Sequence, residues 1–227
     1  MAKKTDKTEE QFAAVEETLS RTEQWIESNH KRLSTAVFII IGFIALYLGY
    51  GKFYAEPLNE EAHSEMFMAE KYFETDSFNI ALNGDGQYLG FIDLANDYSG
   101  TTAGNLANYY AGICCLKIGD NESAIDYLSE FRADDEMVSS IALGSMGDAY
   151  MNLGEVNNAI SYYEKAAYNS DNNFTTPIYL KRAALACEKN GNYSDALTYY
   201  KRIKTDYSKT QEAADIDKYI TRALLMK

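Results

Sequence analysis

Residues 139–166 read Ser139-Ser-Ile-Ala-Leu-Gly-Ser-Met-Gly-Asp-Ala-Tyr-Met-Asn-Leu-Gly-Glu-Val-Asn-Asn-Ala-Ile-Ser-Tyr-Tyr-Glu-Lys-Ala166. Large residues at Leu143, Met146 and Tyr150, with Gly147 between them, share one face of a first helix. Ala159, Tyr163 and Ala166 share one face of a second. Leu153-Gly154-Glu155 separates the two, and glycine is the residue that ends a helix in the left-handed conformation at least cost. Small residues at Gly147, Ala159 and Ala166 let the two backbones approach, while the large ones fill the gaps.

The same pattern recurs on both sides. Upstream, Asn108, Ala111, Gly112 and Cys115 precede a turn at Ile118-Gly119-Asp120, followed by Ala124, Leu128 and Phe131. Downstream, Leu180, Ala183, Ala184 and Cys187 precede Asn190-Gly191-Asn192, then Ala196, Tyr200 and Ile203. Ala124, Ala159 and Ala196 lie 35 and 37 residues apart. A degenerate first unit places Ala69, Tyr72 and Phe73 before Thr75-Asp76-Ser77, with Phe78, Ala81 and Leu82 after it. An apolar run, Tyr88–Tyr98, is inserted behind that unit. Lys209–Met226 carries Ala213, Ile216, Tyr219, Ile220 and Ala223 on one face and is expected to form the helix that caps a stack of repeats.

Residues 33–54 are of another kind. Leu33 to Gly51 holds no charge, and Lys52 is the first after it. Eighteen residues at 1.5 Å rise cover roughly 27 Å, near the thickness of a bilayer core. Tyr47, Tyr50, Phe53 and Tyr54 gather at one end like an interfacial belt. About 32 residues precede the run and no small-x-small cleavage pattern follows it, so a signal anchor is expected rather than a cleaved leader. Lys31 and Arg32 abut its N-terminal side, which places the N-terminus in the cytoplasm and the remainder across the membrane. The expected division is a cytoplasmic amphipathic segment at 1–32, a transmembrane anchor at 33–54 and a helical repeat domain at 55–227. In the first segment Phe12, Val15, Leu19, Thr22, Ile26, Asn29 and Leu33 follow 3,4 spacing, a heptad seam open to self-association or to a partner helix.

Net charge is −13, with −17 between Ala55 and Glu164 and +4 between Lys165 and Lys227. A protein that grips phosphate backbones needs a basic surface, so nucleic acid is not an expected partner. Three cysteines without CxxC spacing and two distant histidines, His30 and His63, assemble no zinc site. Asn83-Gly-Asp-Gly-Gln lacks the glycine and the terminal acid of a calcium loop. No nucleophile elbow, phosphate loop or metalloprotease motif occurs, and Asp134-Asp135-Glu136 reads as helix-start charge. No enzyme activity, cofactor or metal is expected.

A period near 34 with Gly/Ala, Tyr, Gly, Ala, Tyr and Ala at these offsets resembles the tetratricopeptide repeat. The resemblance runs from Glu61 to the C-terminus. Its units are Ser140–Asn172, Pro177–Ser208, approximately Asn105–Ala133, and the degenerate Glu61–Gly90. Asp171 and Ser208 stand where the closing proline usually does, and Cys115 and Cys187 where tyrosine is usual. The implied fold is an all-α, right-handed helical solenoid behind an N-terminal transmembrane helix. The layout of short cytosolic segment, single anchor and repeat domain is similar to the YfgM-like ancillary subunits of the bacterial SecYEG translocon. That likeness implies a single-pass protein of the bacterial inner membrane, its C-terminal domain periplasmic. It also implies a protein-interaction adaptor assisting secretion, with translocon subunits and periplasmic chaperones as partners. The alternative is a structural component of an envelope assembly machine that forms homo-oligomers.

In this fold the first helix of each pair lines a groove whose exposed positions choose the ligand. Here they are Leu106, Tyr109, Ile113 and Leu116; Ile141, Asp148 and Met151; and Ile178, Lys181, Leu185 and Glu188. Only Lys181 suits the carboxylate clamp that holds chaperone C-termini, so the expected ligand is an extended or helical peptide with apolar anchors.

Overall fold

A computed structural model describes the backbone of residues 2–227 and the side chains of Glu23 and residues 25–227. Among these residues every regular element is helical. The chain separates into two units, Met1–Pro57 and Leu58–Lys227.

In the first unit, helix α1 runs Ala2–Tyr50 without a break. The side chains of Phe12, Val15, Leu19 and Thr22 lie outside the described residues. From Ala36 to Leu48 every side chain is exposed, although these are the residues that water solvates least well. This helix is long and apolar enough to cross a membrane. It leads into a π-helical turn, Gly51–Ala55, whose widened register is closed by the Glu56 N–H on the Gly51 carbonyl. Pro57, which has no N–H to give a carbonyl four residues back, follows directly and sits one residue inside α2, Glu56–Glu74.

The second unit is built from helix pairs. After α2 comes α3, Phe78–Asn83. The inserted apolar run becomes a short helix α4, Phe91–Asp97. Three full pairs follow: α5, Thr102–Ile118, with α6, Asn121–Glu130; α7, Glu136–Asn152, with α8, Val156–Tyr168; and α9, Thr176–Lys189, with α10, Tyr193–Asp206. Each turn holds a left-handed glycine, Gly119, Gly154 and Gly191 at φ +89°, +81° and +74°. The degenerate first pair keeps the same turn with Asp76 at φ +57°, a conformation that aspartate tolerates better than most residues. Thr101, Asp120, Asp135 and Asn192 accept backbone N–H bonds at the starts of α5, α6, α7 and α10. The acidic run at 134–136 therefore opens a helix.

Each helix packs on the next in sequence from α5 to α11, and α3 and α4 pack on α5. Close approach depends on missing side chains. A Cβ on Gly147 would stand 2.6 Å from the Tyr163 ring, and one on Gly112 would stand 2.6 Å from Leu128 Cγ. The core falls into three clusters along the stack and includes Met66, Phe91, Leu94, Leu180, Tyr200 and Ile203. Burying each such side chain contributes about 1.5–3 kcal/mol. Cys114, Cys115 and Cys187 serve as small apolar residues of this core. Burial pushes their thiols up to about 12, 11 and 12, with a minor push on Cys114 from Cys115, on Cys115 from Asp120 and on Cys187 from Asp195.

The capping segment differs from its sequence pattern. Lys209–Met226 is not one helix. Thr210 is extended, Gln211–Ala213 forms a single 3-10 turn, and α11 begins only at Ile216 and ends at Met226. Ala213 and Ile216 are three apart and point inward in either conformation, so spacing alone did not separate them.

The unit is thus an all-α stacked-helix solenoid of tetratricopeptide type.

Candidate functional site: the first-helix face

Helices α5, α7, α9 and α11 lie side by side, and side-chain contacts between neighbours define their common face. Asp148 of α7 pairs with Arg182 of α9. Lys181 of α9 meets Asp215, at the start of α11, at 3.0 Å. Glu188 of α9 pairs with Arg222 of α11. Each pair joins residues 34 apart in sequence, close to the length of one repeat. Asp148, Lys181, Arg182 and Glu188 are therefore engaged within the fold and form a ladder along the stack.

Asp148 is the best-partnered member. One oxygen accepts from the Tyr163 hydroxyl at 2.7 Å, and the other takes the Arg182 guanidinium. Burial opposes the charge on Arg182, but Asp148 outweighs it and holds the guanidinium pKa above its usual value. Burial first, then Asp148, pushes the Tyr163 phenol well up. The Tyr179 ring lies across Gly144, where any Cβ would collide with it, and burial raises its phenol to about 12. Lys181 also stands 4.8 Å from the centre of the Tyr219 ring, which adds a cation–π contact to its ion pair.

Of the groove residues expected from sequence, Leu106 and Leu116 are half-buried against the cluster formed by α2 to α5. Tyr109 and Ile113 are half-buried against Leu128, Ala142 and Met146, with Tyr109 at 5.2 Å from the Phe131 ring. Ile141 is half-buried. Met151 and Ile178 pack on the C-terminal cluster. Asp148, Lys181 and Glu188 belong to the ladder, and Leu185 is the most open at 39 %.

Two recesses flank the segment between α10 and α11. One of about 670 Å³ is lined by residues including Phe174, Ile178, Tyr207, Lys209, Gln211 and Glu212. The other, about 490 Å³, is lined by Ile178, Lys181, Arg182, Leu185, Gln211, Glu212, Ala214 and Asp215. Ile178, Gln211 and Glu212 belong to both, so the two adjoin along α9. Phe174, 63 % exposed, marks one end. Sequence reasoning passed over Phe174 and Arg182, and read residues 209–215 as part of the capping helix, not as the wall of a recess. The detectable signal was opposite charge recurring at a separation of 34, at 148/182, 181/215 and 188/222.

A second ladder ties the turns. Asn152 donates to Asn121 and Asn190 donates to Asn157, both at 2.9 Å. Tyrosine–carboxylate bonds add to it, from Tyr199 to Glu164 and from Tyr207 to Asp171. Among the described residues no group of His, Cys, Asp and Glu is placed to hold a metal ion. The arrangement offers shape, apolar contact and fixed charge, which suits binding.

The profile of the tetratricopeptide repeat family matches residues 141–173, that is, α7, its turn and α8. No curated protein matches the chain. The chain carries a tetratricopeptide-type domain, a fold that mediates contacts between proteins and is consistent here with a non-enzymatic scaffold.

Proposed function

We propose that the chain is a membrane-tethered adaptor of the bacterial inner membrane that binds proteins during secretion, beside the translocon and periplasmic chaperones. Residues 1–32 are cytoplasmic, 33–54 span the bilayer as a signal anchor, and 55–227 form the periplasmic repeat domain. The groove is the face carrying Leu106, Tyr109, Ile113, Leu116, Ile141, Asp148, Met151, Ile178, Lys181, Leu185 and Glu188. One observation carries this reading: Phe174, just before α9, and Leu185, on it, are exposed with half-buried Ile178 between them, while Arg182, Lys181 and Glu188 are already paired within the fold. A groove whose charges are spoken for selects ligands by apolar anchors. Lys31 and Arg32 on one flank of the span, against Lys52 as the single base close to the other, support an inward N-terminus. The tether adds to affinity because confinement to the bilayer raises the effective concentration of a membrane partner.

A photo-crosslinking residue at Leu185 of the full-length chain in native membranes tests this. Adducts with translocon subunits or nascent secretory chains at Leu185, and none at Lys201 on α10, are expected. Adducts confined to cell-wall proteins would instead favour an envelope structural role. A reporter fused after Lys227 should be active only outside the cytoplasm, and cytoplasmic activity would overturn the topology.

A further inference from the structure

We propose that α1 pairs in parallel with α1 of a second copy of this chain, along a seam that begins before the apolar span and runs into it. The decisive feature is continuity. One helix covers Ala2–Tyr50, so the polar segment and the span share a single helical register with no break between them. Every seventh residue along it is large and apolar: Phe12, Leu19, Ile26, Leu33, Ile40 and Tyr47. Within the span such a row is unremarkable, because nearly every residue there is apolar. Before the span it is not. Between Ala2 and Arg32 the large apolar residues are Phe12, Val15, Leu19, Trp25 and Ile26, and all but Trp25 fall on the seam. The rest of that segment is polar, charged or alanine. A helix of this composition gains little from water or from lipid headgroups on its apolar stripe, and a matching stripe satisfies it.

The flanking positions choose the direction of pairing. One flank of the seam carries Glu9, Glu16 and Glu23; the other carries Gln11, Thr18 and Trp25. Antiparallel pairing would set the glutamate flank against itself. Parallel pairing sets glutamates against uncharged residues, and two chains anchored in one bilayer with the same topology meet in that direction. Thr22 and Asn29 occupy the alternate seam row, where polar layers fix register and give up some stability. The seam is open to a partner in the lipid-facing part, where Phe43 and Tyr47 are 69 % and 77 % exposed. A competing face exists on the other side of the span, where Gly42, Ala45 and Gly49 make a smooth surface. Small residues at such spacing also pair helices, so the two faces make opposite forecasts.

Pairing would set two repeat domains at one membrane site and give bivalent capture of a partner. The proposal does not depend on the groove reading, since crosslinking at Leu185 and dimerisation of α1 are scored separately.

The test is disulfide crosslinking of the full-length chain in native membranes, with single cysteines introduced by substitution. The three native thiols are buried and held in the protonated form, so their background is low. Ile26→Cys and Phe43→Cys should each give about tenfold more covalent dimer than Glu27→Cys and Ala45→Cys, which lie off the seam. Adding Ile26→Lys to Phe43→Cys should abolish that dimer, whereas adding Glu27→Lys should not. Equal crosslinking at all four sites, none at any, a product with a different protein, or preference for Ala45→Cys would each overturn the proposal.

Discussion

The two halves of the repeat domain hold their helices together by different means. From α2 to α6 the joints are aromatic and irregular. Phe91 stacks on Tyr110 with ring centres 4.8 Å apart, and Phe73 meets Tyr110 at 5.0 Å and Phe78 at 5.5 Å. Thr102 and the Ala103 N–H both bond to Asn59 of α2, at 2.6 and 3.2 Å. From α7 to α11 the joints repeat: ion pairs 34 residues apart on the first-helix face, tyrosines reaching carboxylates of the preceding repeat, and asparagine bonds between turns, the first of which reaches back to Asn121 of α6. A cluster of rings is a local knot with no periodic register. A ladder works only if each repeat is set against its neighbour in the same way. The first half thus behaves as a start cap and the second as a true repeat array, in which stability is a sum over neighbours.

The largest expected effect comes from alkaline pH, because it acts on many groups together. In the second half Tyr163, Tyr199 and Tyr207 donate to carboxylates, and burial is the leading cause of each raised pKa. In the first half Tyr72 and Tyr98 likewise donate to carboxylates, Asp85 and Glu61, and are raised, while Tyr109 and Tyr110 are raised chiefly by burial. A group whose folded pKa lies above its unfolded one contributes stability that is complete below the unfolded value and lost as pH climbs toward the folded value. Unfolded tyrosine titrates near 10 and cysteine near 8.5, so stability should fall from about pH 9 upward. The second half should open first, since the tyrosines that burial raises furthest, Tyr163, Tyr179, Tyr199 and Tyr200, all lie there. Hydrogen exchange measured between neutral and alkaline pH reads this by segment. Earlier opening of α4 and α5 would break the comparison.

Next in size is Phe91→Ala. The ring is fully buried and is shared by Phe73 and Tyr110, so its loss should cost about 3–5 kcal/mol. Leu180→Ala, at an equally buried site in α9, should cost about 2–5 kcal/mol. The two should differ in extent more than in size. Phe91→Ala should loosen α2 to α5 and leave α9 and α10 protected from exchange, while Leu180→Ala should loosen α8 to α11. If either substitution melts both halves together, the domain is one cooperative block and the division into cap and array is lost.

The repeat array was legible in the sequence because its marks are local: a glycine after each first helix, alanine on the facing second helix, and a tyrosine one turn later. Gly154 and Ala159 stand five residues apart, within reach of a pattern read along the chain. The degenerate pair was legible too, since Asp76 occupies the left-handed slot of a glycine and its neighbours retain the periodicity. The ladder was not. Asp148 and Arg182 are strangers along the chain and meet only when α9 stacks on α7, so Asp148 read as a residue offered to a ligand. The start of α11 was hidden for another reason: Ala213 in a 3-10 turn and Ile216 in a helix satisfy the same spacing. The recess beside Phe174 depends on the path of residues 207–215, which no periodicity describes.

The smallest effect is the most specific test of the ladder. Asp148→Ala leaves the Tyr163 hydroxyl without its acceptor and Arg182 without its counter-charge, yet both side chains of the ion pair keep water contact, at 34 % and 42 % exposure. Solvent screening limits what the ion pair alone can contribute to ~1 kcal/mol, and the stranded tyrosine adds about 1–2 kcal/mol. Arg182→Ala should cost less than Asp148→Ala, because it leaves the Tyr163–Asp148 bond intact. In a double-mutant cycle Asp148 and Arg182 should couple, while Asp148 and Arg222, which belong to different rungs, should add independently. The opposite pattern would mean that the charges act as a diffuse field and not as rungs, and a diffuse field would leave Lys181 and Arg182 free to receive an anionic ligand. The cycle therefore decides two matters together: how the array is joined, and whether its first-helix face selects partners by apolar contact or by charge.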